Sequence, residues 1–88
     1  MRPVRLHRHA ARYLRRMPGP QRERMRAALQ ELAGVDDVAE HRNVRPMRGQ
    51  WTGCYRLRVG EYRAVFRLAN DSEELIDVLN IDPRGDVY

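Results

Sequence analysis

The chain has no lysine, one cysteine, one tryptophan and one phenylalanine. Its cationic side chains, His apart, are 17 arginines set against 12 acids, for a net charge of +5 and a pI near 10.3. Missing lysine is a mark of GC-rich coding, so no single arginine carries a message; their distribution does. The lone Cys54 excludes an internal disulfide and a cysteine-based zinc site, and it suits a reducing cytoplasm. No run approaches the roughly 20 apolar residues of a membrane span. The N-terminus also lacks the apolar stretch of a signal peptide, so the expected location is cytoplasmic, with no membrane partner. His7, His9 and His41 have neither metal-ligand spacing nor an obvious catalytic partner; neither metal nor cofactor is expected. At 88 residues, spanning 1–88 without repeat or linker, the chain reads as a single domain. Folding buries about 60–65% of the surface of so short a chain, enough for one modest core but no deep enclosed cavity.

What is present is uneven charge. From Arg45 to Arg67 there are six arginines and one acid, Glu61, an excess of five over 23 residues. From Ala69 onward there are six acids and one arginine, Arg84. The basic block suits a polyanion such as RNA or DNA. Within it, residues 54–67 read as two strands around a turn at Gly60-Glu61, glycine first, as a primed hairpin turn prefers. Placing Val59 opposite Tyr62 pairs 58 with 63, 56 with 65 and 54 with 67. Side chains alternate across a strand. Tyr55, Leu57, Val59, Tyr62, Ala64 and Phe66 then form a core face, while Cys54, Arg56, Arg58, Arg63, Val65 and Arg67 share the other. Arg58 and Arg63 fall directly opposite each other, an arrangement that costs stability and calls for an anion. An arginine-rich strand face is most often only solvated surface; the shortage of acids argues against that here.

Around the hairpin the pattern is simpler. Residues 4–7 alternate as a short strand with Val4 and Leu6 inward. Residues 8–17 place Ala10, Tyr13, Leu14 and Met17 at helical spacing, and Pro18-Gly19-Pro20 ends that helix and opens a second over 20–33. Its stripe is Met25, Ala28, Leu29 and Leu32, with Gly34 as the stop. Residues 35–53 are rich in breakers and read as irregular, with Trp51 expected first as a core anchor. Residues 70–73 read as a turn and 75–81 as a strand buried in mid-sheet. The expected class is α+β: an N-terminal strand and an antiparallel two-helix hairpin packed on a small, mainly antiparallel sheet.

With Met47-Arg48-Gly49 leading into Tyr55-Arg56-Leu57-Arg58-Val59-Gly60-Glu61-Tyr62-Arg63, and the tail Arg84-Gly85-Asp86-Val87-Tyr88, the chain resembles the RelE/ParE superfamily of bacterial toxin–antitoxin toxins, in particular its RelE branch. The resemblance runs the length of the chain. It implies an mRNA endoribonuclease acting on ribosome-bound message and silenced by a cognate antitoxin, with operator DNA reached only through that antitoxin. It implies a catalytic set of Arg56, Arg58, Arg63, Arg84 and Tyr88, with Arg45, Arg48 and Arg67 as further RNA contacts. Asp82-Pro83 departs from the Gly-His or Gly-Lys usual before the tail arginine.

Cleavage by the adjacent 2′-hydroxyl requires loss of that proton, stabilisation of a phosphorane and protonation of the 5′ leaving oxygen. Arginines suit the second task, since they grip phosphate with two parallel hydrogen bonds and stabilise developing charge. They suit the first poorly, being protonated to above about pH 12. Tyr88 is then the candidate for proton transfer or stacking, with surrounding arginines drawing its pKa down. Two other readings stand beside this one. The first is a ParE-like inhibitor of DNA gyrase that cuts nothing; the second is a degenerate homologue serving as antitoxin-bound co-repressor.

Overall fold

The computed structural model describes residues 1–69 and 75–83. Its elements run β1 (Val4–Leu6), α1 (Arg8–Arg16), α2 (Gly19–Ala33), β2 (Val44–Pro46), β3 (Tyr55–Val59), β4 (Tyr62–Ala69) and β5 (Leu75–Asp82). Short 3₁₀ turns at Val38–Glu40 and Gly49–Trp51 flank β2. The sheet order is β1-β5-β4-β3-β2, with β1 parallel to β5 and every other pairing antiparallel. The expected α+β class holds, and β5 lies in mid-sheet as its apolar sequence suggests. One expectation fails: the segment 35–53 is not wholly irregular. It contains the edge strand β2, whose three residues include Pro46; a proline without an N–H is tolerated at an edge.

Both helices cover one face of the sheet, α1 against β5 and α2 against β1 and β3. Helix α1 starts at His7, whose Nδ1 accepts the N–H of His9 at 3.4 Å, and ends with Arg15 and Arg16 at the negative pole of its dipole. Beyond the end of α2, Arg2 donates its guanidinium to the carbonyls of Val35 and Asp36. The buried stripe Ala10, Leu14 and Met17 meets Met25, Leu29 and Leu32 over Leu57, Ala64, Phe66, Ile76, Val78 and Ile81. Burying each large apolar side chain contributes about 1.5–3 kcal/mol. Tyr55 and Tyr62 pack on this core, and the ring of Tyr55 stacks on Phe66 at 5.6 Å. Trp51 is half-buried in its 3₁₀ turn and stands outside the core, a correction to the expected anchor. Gly49 and Gly53 on either side of it turn with positive φ, +69° and +98°, which keeps this stretch out of the strands.

The hairpin register is as its sequence dictates: Val59 opposite Tyr62, Arg58 opposite Arg63, Arg56 opposite Val65 and Tyr55 opposite Phe66. Gly60 turns with φ +63°, a left-handed conformation that glycine adopts without cost. A side chain there would also meet the Arg24 guanidinium at 3.3 Å.

Candidate functional site

The face opposite the helices carries the arginines, and strand neighbours decide the state of each. On the β1–β5–β4 side, Arg5, Asp77 and Arg67 lie in one cross-strand row. Arg5 donates Nε and Nη2 to the two Asp77 oxygens at 3.3 and 3.0 Å, and Arg67 donates Nε at 3.3 Å. Asp77 is buried, and the hydrogen bond from Arg5 does most to hold its carboxyl below the usual range, ahead of the Arg67 contact. Next along, Arg63 faces Asp82. Its Nε and Nη2 donate to Asp82 Oδ2 at 3.2 and 2.9 Å, and its side chain is only 4% exposed. Asn80 donates to the same oxygen at 3.3 Å.

Arg63 therefore does sit opposite Arg58, but part of the anion that pairing called for belongs to the chain. The like charge is offset from the other side of β4. A shift of register between Val65 and Phe66 sets which β5 residues face which arginine. Asp82 and Asp77 are the partners that sequence reading missed, because they are 19 and 10 positions from Arg63 and Arg67.

The β2–β3 side is different. Arg45 lies directly opposite Arg56, a second like-charge pair, and Arg58 follows on the same face. A hollow of about 180 Å³ opens among Arg42, Asn43, Arg45, Arg56 and Arg58, with no acid among the described residues that line it. Among the described residues, no carboxylate lies within 4.0 Å of these arginines or of Arg48. Arg45 bends one amine to the carbonyls of Arg42 and Val44, at 3.2 and 2.8 Å, and Arg58 leans its Nε to the Gly60 carbonyl at 3.4 Å. The shoulder is held from behind: His41 Nδ1 accepts the Asn43 N–H at 3.0 Å, and the Asn43 carbonyl accepts the Arg58 N–H at 3.0 Å.

Of the expected site residues, the fold thus brings Arg45, Arg56 and Arg58 together and leaves Arg48 exposed at the start of the second 3₁₀ turn. It sets Arg63 and Arg67 in ion pairs. Arg84 and Tyr88, and the turn expected at 70–73, lie outside the described residues. Arg42 joins the set unexpectedly; in sequence it is one more breaker-region arginine. For proton transfer, Tyr13 is shifted the wrong way for a base: burial first, then the neighbouring Tyr62 and Asp82, push its pKa above the usual value. No group of three or more potential metal ligands occurs among the described residues, nor any helix long and apolar enough to cross a membrane.

Comparison with known proteins places this arrangement. No curated protein matches the chain. Among solved structures, a chain of the RelBE2 toxin–antitoxin complex from Mycobacterium tuberculosis is 30% identical, covering 94% of this chain and 98% of its own, with a TM-score of 0.64. A chain of the archaeal RelE–RelB complex from Pyrococcus horikoshii is 26% identical over 98% of each chain, at TM-score 0.75. The intact RelBE complex of E. coli shares the fold at 20% identity and TM-score 0.72, with 98% of this chain and 99% of that chain covered. The family model for the ParE toxin of the type II toxin–antitoxin system parDE matches residues 4–88. With the family model matching residues 4–88 and a 30% identical chain aligned over nearly its whole length, the chain belongs to the ParE family of type II toxin–antitoxin toxins, within the RelE/ParE superfamily.

Proposed function

We propose that the protein is a toxin that cleaves ribosome-bound mRNA by 2′-hydroxyl attack and is held in check by a cognate antitoxin, as the complexes of its relatives suggest. The observation that carries this reading is the β2–β3 surface, where Arg42, Arg45, Arg56 and Arg58 converge on a hollow lined by no acid among the described residues. In this reading Arg56 and Arg58 grip the scissile phosphate and stabilise the phosphorane, while Arg45 and Arg48 add further contacts to the RNA strand. Arg63 acts as a positioning residue: buried against Asp82, it fixes β4 behind Arg58. Arg67, shared with Asp77, contributes less to RNA than its unpaired neighbours. On the family resemblance, Tyr88 serves as the proton-transfer group or stacking platform, and Arg84 lies on the scissile phosphate or the leaving oxygen. No metal or cofactor takes part, and operator DNA is met only through the antitoxin.

A second reading, inhibition of DNA gyrase without cleavage, is favoured by the matched ParE family model and by the internal neutralisation of Arg63. Mapping mRNA 5′ ends after brief induction, with ribosomes present and absent, separates the two. The nuclease reading expects new 5′ ends only with ribosomes, and cleavage slowed about a hundredfold by Arg58→Ala, the loss typical of one oxyanion donor. Arg58 is exposed, so that variant keeps its fold. Intact mRNA together with inhibited supercoiling selects the second reading instead.

A further inference from the structure

Beside the arginine hollow lies a second one, of about 370 Å³, lined by Pro46, Met47, Arg48 and Arg56. The two share Arg56 and differ in character. Among the described residues the first is lined by arginines and an asparagine alone, and at about 180 Å³ it is smaller than the 300–1,000 Å³ of ordinary small-molecule sites. It suits a small anion. The second falls within that range and offers apolar surface from Pro46 and Met47 beside two guanidinium groups.

We propose that this edge of the sheet is a one-nucleotide subsite. A backbone phosphate of single-stranded RNA sits among Arg42, Asn43, Arg45, Arg56 and Arg58. The attached base lies on Pro46 and Met47, flanked by the guanidinium of Arg48. Unstacked RNA bases are commonly taken up on apolar or guanidinium surfaces in this way, and phosphate contacts fix register along the strand.

The frame is built for the task. Arg45 and Pro46 are paired in register with Arg56 and Tyr55, and the Met47 N–H continues the ladder by donating to the Cys54 carbonyl at 2.9 Å. The asymmetry also favours nucleic acid over an acidic protein segment. A peptide carboxylate would occupy the first hollow, but the second would then lack a tethered group of matching size. The inference deepens the RNA reading above and rests on it: it adds Arg42, Asn43, Pro46 and Met47 to the surface that holds the strand.

The test uses the full chain and fluorescent single-stranded RNA heptamers, one of uridines and one abasic, in anisotropy titrations across a salt series. Arg42→Gln should weaken both oligomers about fivefold, as the loss of one exposed ionic contact does. It should also lower the salt slope by about 0.7, the value for one phosphate contact on a single strand. Met47→Ser should weaken the uridine oligomer and leave the abasic one unchanged. Suppose Arg42→Gln and Met47→Ser both bind like the parent while Arg58→Gln loses affinity. The RNA then runs elsewhere, and this inference fails while the RNA reading stands. If Arg42→Gln spares RNA but weakens antitoxin capture, the hollow belongs to an acidic protein segment and the inference is likewise overturned. A parent chain that binds neither oligomer removes the RNA reading and the subsite together.

Discussion

The two halves of the arginine face have the same kind of side chain on the same kind of strand, yet they are in opposite electrostatic states. On the β1–β5–β4 half, Arg5 and Arg67 share Asp77, and Arg63 is closed onto Asp82. On the β2–β3 half, Arg42, Arg45, Arg56 and Arg58 surround empty space. The difference comes from β5. It is the one acid-bearing strand of this face, and it reaches only its direct neighbours. A count of arginines along the chain overstates the charge on offer; what matters is which strand lies alongside. The paired half works as structure, and the unpaired half is left to act on a ligand.

The comparison breaks most readily at Arg63. Arg63→Ala removes a buried guanidinium and its two hydrogen bonds to the Asp82 carboxylate, so it should cost about 1.5–3 kcal/mol or more in denaturant unfolding. Arg58→Ala, exposed on the neighbouring strand, should stay within about 0.5 kcal/mol. Equal losses would mean that the two halves do not differ.

A smaller effect is expected at Asp77. Asp77→Asn should lower stability by about 1–3 kcal/mol, through weakened hydrogen bonds to charged partners, and should add RNA affinity by releasing Arg5 and Arg67. The same variant carries the pH signature. Because the folded carboxyl titrates below its unfolded value near 3.9, its contribution is fully present above about pH 4 and is lost as the pH falls through the folded value. Unfolding midpoints measured from pH 6 down to pH 2 should therefore fall less steeply in Asp77→Asn than in the parent.

The smallest effect sharpens the contrast. Arg45→Glu places an acid opposite Arg56 and should stabilise the sheet by about 0.2–1 kcal/mol, the range for an opposite-charge cross-strand pair. It should weaken RNA binding at the same time. A variant that gains stability while losing ligand would show that this half gives up stability for binding.

Much of this was legible in the chain. The hairpin register followed from one glycine-led turn and strict alternation, and both boundaries of α2 fell within a residue of their proline and glycine signals. The burial of β5 followed from its run of apolar residues. Strand β2 was not legible: three residues ending in proline, among glycines and other breakers, leave too short a pattern. Nor were the ion pairs, since the partner of Arg63 depends on a register shift in β4–β5 that no local sequence signal reveals. Arg42 was missed for a related reason. It matters only because Asn43 is tied to β3, which draws the preceding residue beside Arg45 and Arg56.

The parallel pairing of β1 with β5 bears on how the molecule is made. Arg5 finds Asp77 across 72 residues of chain, whereas β2, β3 and β4 follow one another directly. Contacts so distant in sequence form slowly and late, and during synthesis β5 leaves the ribosome after β1 to β4. The β2–β3 edge can thus assemble before the strand that neutralises its neighbours arrives. Until β5 docks, the growing toxin carries its arginines without their internal acids and exposes a free edge on β4. An antitoxin made alongside it would meet the chain at that stage, when it is most cationic and least complete.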